Sequence, residues 1–285
     1  MADGSLYRPW LGEGRQRKRR AWRRWRVGTA LSTLLTLALL SAPAGAAELL
    51  PHEASYVVRL GTSRMAPEIG TARQLLGLDC QVWRLERDVT TDIALAASMR
   101  LTSESELRGA EPRDGSAFDY QLRRAQNGRA QTIGGRVAIG TTGARANLSL
   151  LTGPMVVDLP ADIVLPVAGF ARIIGALKAG ASAFRFTLYD PELTSDGLQL
   201  EGGVVPVESL RQPPRETSKL PAGATWPVEI AFTRPRAPER PLFSLTLLIH
   251  EGGVLDRLTI NTGLIAASAD LVAFKPLPRP ECPNS

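Results

Sequence analysis

Only two side chains in this chain of 285 residues, His52 and His250, could act as imidazole bases. Nucleophilic catalysis needs a nucleophile held against such a base. His250 stands beside Glu251 at a Gly-Gly turn, and no G-x-S-x-G elbow, H-E-x-x-H helix or P-loop accompanies either histidine. Two histidines with two well-separated cysteines, Cys80 and Cys282, make a poor transition-metal ligand set. No metal and no cofactor is therefore expected. Carboxylates such as Asp88, Asp92, Asp190, Asp196 and Asp256 are numerous enough to suggest a hydrolase, but their spacing pairs no two of them. The chemistry that remains is binding.

The net charge of +6 suggests a nucleic-acid partner until its distribution is read. Residues 1 to 47 hold nine Arg and Lys against Asp3 and Glu13, a local +7, so residues 48 to 285 carry −1. The basic footprint that nucleic-acid binding needs is absent from that larger part.

The basic run leads into Val27 to Leu40, fourteen residues rich in Leu, Ala and Thr, and then into small residues at Ala44 and Ala46. A charged segment, a short apolar segment and an A-x-A site are the parts of a secretory signal peptide, with cleavage expected after Ala46 or Ala47. Fourteen residues span about 21 Å as a helix, short of the roughly 30 Å hydrocarbon core, so a membrane anchor fits less well. Arg19-Arg20 and Arg23-Arg24 hint at twin-arginine export, but the residues after each pair fit the general secretory route better. The expectation is a signal peptide over 1–47 and one periplasmic domain over 48–285, with no membrane span after cleavage. In that oxidising compartment Cys80 and Cys282 most simply form one disulfide, two unrelated buried thiols being the alternative.

The domain needs elements that can make a binding surface. Val167, Phe170, Ala171, Ile174 and Leu177 recur at helical spacing, Pro166 suits a first helical position and Gly180 a left-handed stop, which predicts one helix over 166–179. Most of the remainder alternates at period two. Strands are expected at 54–60, at 70–78 with less definition, from Val82 to Ile93, and again at 117–126, 129–139 and 144–151. Asp114-Gly115, Asn127-Gly128 and Gly134-Gly135 are read as hairpin turns. Later, Phe184, Phe186 and Leu188 share a face, as do Val228, Ile230 and Phe232; Phe243, Leu245, Leu247 and Ile249 lead through Glu251-Gly252-Gly253 to a partner strand containing Leu258 and Ile260. Proline-rich 211–224 and 234–241 read as loops, and the proline-rich tail from Lys275 as an extended surface segment, because proline cannot donate to a ladder. A meander this long must hide its edges by closing or curling. The predicted fold class is mainly β: a single large curled antiparallel sheet, an open barrel or spiral, over one inner helix.

The order of Leu-Leu-Pro-His-Glu-Ala-Ser-Tyr (49–56), Leu-Asp-Cys (78–80), Val-Leu-Pro-Val-Ala (164–168), Leu-Tyr-Asp (188–190), His-Glu-Gly-Gly-Val-Leu-Asp (250–256) and Cys282 resembles the EipB family of periplasmic cell-envelope integrity proteins. The resemblance covers essentially all of 48–285 and departs from the family pattern at Gly169 and Gly252. It implies a β-spiral with an inner helix, a long-range disulfide mapping onto Cys80 and Cys282, and likeness to open-barrel proteins that handle lipoproteins. No catalytic reaction comes with it.

The function expected is non-enzymatic support of the envelope, through an apolar ligand, a lipoprotein or an envelope protein partner. A hydrolase of an envelope polymer, working through carboxylates, is the competing class. Phe170, Ile174 and Leu177 on the helix, with Phe184, Phe186, Phe243, Leu245 and Leu247 on the sheet, either line an apolar cavity or fill the space as core.

Overall fold

A computed structural model describes residues 48–285 except 97–98, 194–196, 211–219, 235–236 and 283–285. The segment expected to be a signal peptide, Asp196 and most of the expected 211–224 loop lie outside the described residues. No helix among the described residues is long and apolar enough to cross a membrane.

Fifteen strands form one sheet. The first eight are β1 (His52–Leu60), β2 (Glu68–Asp79), β3 (Val82–Ala96), β4 (Met99–Pro112), β5 (Ala117–Gln126), β6 (Arg129–Gly140), β7 (Gly143–Leu150) and β8 (Gly153–Leu159). A two-residue β9 (Ile163–Val164) precedes α1 (Pro166–Lys178). After the helix come β10 (Ala183–Leu188), β11 (Leu198–Val204), β12 (Thr225–Arg234), β13 (Ala237–His250), β14 (Leu255–Asn261) and β15 (Ala266–Pro276). Spatially the order runs from β8 back to β1, then β15 back to β9. The chain therefore starts mid-sheet, with β1 between β2 and β15, and β8 and β9, consecutive in sequence, are the two edges. Every pairing is antiparallel except β9 with β10. The sheet curls into a nearly closed barrel.

Period-two burial drives the curl. On β5, Phe118, Tyr120 and Leu122 are buried and their neighbours Asp119 and Gln121 exposed; on β7, Ala144, Ala146 and Leu148 alternate with Arg145, Asn147 and Ser149 in the same way. Such strands have one face for the interior and one for water. Asn127 and Gly128 carry the positive φ values, 48° and 79°, of a tight β5–β6 hairpin.

The helix matches its sequence signals. Pro166 lies in its first turn, and Gly180, at φ 77°, ends it with the two reverse hydrogen bonds of a Schellman motif, Gly180 N–H to Leu177 O and Ala181 N–H to Ala176 O. Val167, Ala171, Ile174 and Leu177 are buried, while Phe170 is only half-buried, since its ring borders open space.

Several expectations are corrected. The polar stretch after Ile93 is not a gap between strands: β3 runs on to Ala96 and β4 follows, its outer face made of Thr102, Glu104, Glu106 and Arg108 and its inner face holding Leu107. A charged outer face hid the strand. Gly134-Gly135 is not a turn but lies within β6, where a side chain on Gly135 would meet the Tyr120 ring at 2.2 Å. β8, β9, β11 and β15 were not anticipated, and β13 starts at Ala237, inside the supposed 234–241 loop. Lys275 and Pro276 end β15 paired with Glu53 and His52, so the described tail without strand structure is 277–282.

That tail is pinned twice. Cys80, in the β2–β3 turn, is bonded to Cys282, with Cα atoms 5.4 Å apart, and Arg279 pairs with Glu48. Closing a loop with a separation of 202 residues removes denatured-state entropy worth about 5 kcal/mol in the chain-entropy model, an upper value. Cys282→Ser is expected to lower the melting temperature while leaving strand content unchanged in far-UV circular dichroism. Loss of strand signal at low temperature would mean that the bond shapes the sheet.

Candidate functional site

The curled sheet and α1 leave a cavity of about 300 Å³. Its wall is mainly aliphatic and aromatic. Phe170 and Ile173 contribute from the helix, Phe186 and Leu200 from β10 and β11, Ile230 and Phe232 from β12, and Phe243, Leu245 and Leu247 from β13. Leu49, almost completely buried, borders it from the strand-free segment before β1. Phe232 and Phe243 stack at 4.7 Å between centroids, which stiffens one side.

Of the residues that sequence singled out, Phe170, Phe186, Phe243, Leu245 and Leu247 line this space. Ile174 and Leu177 do not: they are packed core, 0% and 4% exposed. Phe184 does not either, its half-buried ring lying over Gly202. The cavity and the filled core thus coexist, divided along the helix.

One part of the wall is charged. Arg87 Nη2 donates to Asp190 Oδ2 at 2.7 Å, and its Nε lies 3.0 Å from Glu192 Oε2. Burial works against the Arg87 charge, but Asp190 and Glu192 outweigh it and hold the guanidinium above its ordinary pKa. Ser105 donates to the second Glu192 oxygen at 2.7 Å, and Arg124 donates to the carbonyls of Pro191 and Glu192. Beside them the Tyr120 and Tyr189 hydroxyls share a buried hydrogen bond of 2.7 Å. Segment 189–192 is therefore a strap from the end of β10 to the inner faces of β3, β4 and β5.

The start of α1 is held by β4, one of the strands that the strap also reaches. Leu165, at the N-cap, has no side-chain oxygen to give, and both carboxylate oxygens of Glu111 accept instead, from Val167 N–H at 2.8 Å and Ala168 N–H at 2.7 Å. A carboxylate at a helix N-terminus satisfies orphan amides and meets the positive end of the dipole. Glu111 is 1% exposed, and burial pushes its pKa up to about 7 despite the two amides that oppose the rise; nearby Asp190 adds to it.

Sequence reading missed Leu49, Arg87 and Glu111. The last two carried a signal: Arg87 is in phase with Leu85 and Val89, and Glu111 with Leu107 and Gly109. A charge on an apolar face of a strand has to be paired within the fold.

The histidines are structural in their surroundings. His52 is fully buried, Nδ1 is 2.6 Å from Leu50 O, and burial lowers its pKa. His250 Nδ1 accepts from Gly252 N–H at 3.0 Å within the turn. Asp88 pairs with Arg108 and Arg73, and Asp92 with Arg100. Among the described residues, no group of three or more His, Cys, Asp or Glu is placed to hold a metal ion.

A single curled sheet with an interior helix and an apolar cavity defines an open-barrel protein. The EipB-like family model matches residues 43–278, and the chain belongs to that family. In fold it is similar to the crystal structure of a β-barrel-like protein of a domain of unknown function, DUF1849, from Brucella abortus, with a TM-score of 0.71 and 17% identity over 82% of this chain and 100% of that one. No curated protein matches it in sequence.

The Glu111 cap yields a pH prediction. Its folded pKa, about 7, lies above the unfolded value, so its protonation favours the fold below about pH 4.5, and that contribution fades as pH rises to about 7. Denaturant unfolding is expected to show stability falling over that window by up to about 3 kcal/mol from this group. Glu111→Gln should abolish that component and cost about 1–3 kcal/mol by leaving one amide without an acceptor. An unchanged pH slope in the variant would remove Glu111 from the account.

Proposed function

We propose that this protein is a non-enzymatic periplasmic protein that supports the cell envelope by holding an apolar ligand, such as a lipid or the acyl part of a lipoprotein, between its sheet and helix. The observation that carries the reading is the cavity: about 300 Å³ bounded by Phe170, Leu245, Leu247 and their neighbours, at the lower end of the range for small-molecule sites. An apolar space of that size would cost stability if it served only as core. Membership of the EipB-like family and the barrel-like fold fit this role. The N-terminal 47 residues, with their basic and apolar segments, supply the expected route to the periplasm.

Hydrolysis is the weaker reading. Its best support is Glu111, a carboxyl group with a raised pKa, yet both of its oxygens are taken by helix amides. Asp190 and Glu192 are likewise engaged by Arg87.

Native mass spectrometry of protein taken from periplasmic extract tests the proposal in one measurement. The polypeptide is expected to begin near Glu48 and to carry an apolar adduct that organic extraction removes. Leu245→Trp, which places an indole in the cavity, should weaken affinity for the adduct about tenfold or more, about 1.4 kcal/mol, and so lower its occupancy. Full occupancy in that variant would place the ligand elsewhere.

A further inference from the structure

Resting on the ligand-binding reading, we infer that the site selects a single-chain amphiphile whose head group carries hydrogen-bond donors and no negative charge. Size sets the first half. At about 300 Å³ the cavity lies at the lower end of the range for small-molecule sites, which run from about 300 to about 1,000 Å³. That is room for one alkyl chain, or the end of a longer one, rather than for two.

The charged part of the wall sets the second half. Four charged residues border the cavity, Arg73, Arg87, Asp190 and Glu192. Arg73 is committed to Glu53 at 2.7 Å, with Asp88 at 3.6 Å and Glu86 at 4.0 Å beside it. Arg87 is committed to both Asp190 and Glu192. Both guanidiniums that border the cavity are thus matched or outnumbered by carboxylates, and an anionic head would have to displace one of them or lie beside Asp190 and Glu192.

Donors meet the opposite situation. Asp190 Oδ2 accepts from Arg87 and Oδ1 from Glu192 N–H, while Glu192 Oε1 accepts from Ser105. A carboxylate offers about four lone-pair sites, so both residues retain acceptor capacity. A hydroxyl or ammonium head can add to this network without breaking a bond in it, and an ammonium does so as a charge-assisted donor.

The test is calorimetric titration at pH 8 of delipidated protein with three probes of equal chain length: decylamine, decanol and decanoate. Decylamine and decanol are expected to bind at least about tenfold more tightly than decanoate, a gap of about 1.4 kcal/mol. Decanol, being uncharged, separates this preference from simple attraction of a cation to an acidic surface. Glu192→Gln, which keeps the size and an acceptor for Ser105, should narrow the gap between decylamine and decanoate about threefold or more. Decanoate binding as tightly as the other two, or a gap unchanged in the variant, overturns the head-group inference and leaves the cavity reading standing. Failure of all three to bind overturns the cavity reading and this inference with it.

Discussion

A sheet of fifteen strands has two edges and one very large apolar face, and the chain supplies a single α-helix of thirteen residues among its described elements to cover that face. At 1.5 Å per residue such a helix is about 20 Å long. Exposed strand edges and an open apolar face favour aggregation, so the sheet has to curl round the helix. One helix does not fill the barrel that results. Ile174 and Leu177 pack against one part of the wall as ordinary core, while Phe170 and Ile173 look onto the space that stays open.

Two polar contacts hold the curl in place. Glu111 on β4 takes the first amides of α1, fixing the helix to the first half of the sheet. The strap at 189–192 ties the second half to the first through Arg87, Ser105, Arg124 and the Tyr120–Tyr189 pair. Removing one member of a buried ion pair commonly costs 3–5 kcal/mol, because its partner is left charged and dry. These contacts therefore act less as added stability than as a constraint on where the two halves can sit. The same strap supplies the charged part of the cavity wall, which links closure of the barrel to recognition of what it holds.

The curled sheet, the lone helix and its stop at Gly180 were legible because period-two and period-3.6 patterns dominate those segments. Strands β4 and β11 were not, since Glu104, Glu106 and Arg108 on the outside of one and the Glu201-Gly202-Gly203 run in the other obscure the alternation of a few inner residues. Gly134-Gly135 has the composition of a turn, yet its place is set by the Tyr120 ring lying over it, a contact from another strand that local sequence does not record. Of the site, the apolar wall could be read from strand faces. The division between cavity and core could not, because it depends on how deeply the helix sits. Arg87 and Glu111 stood in plain view as charges in phase with apolar neighbours.

The central claim is that the barrel keeps an apolar, ligand-sized space, and xenon probes such a space directly because dry apolar cavities take it up. Diffraction from crystals of delipidated protein under xenon pressure is predicted to show xenon in contact with Phe170, Leu245 and Leu247. Absence of xenon there, with those side chains closed on one another or a chain of ordered water in its place, would contradict the account.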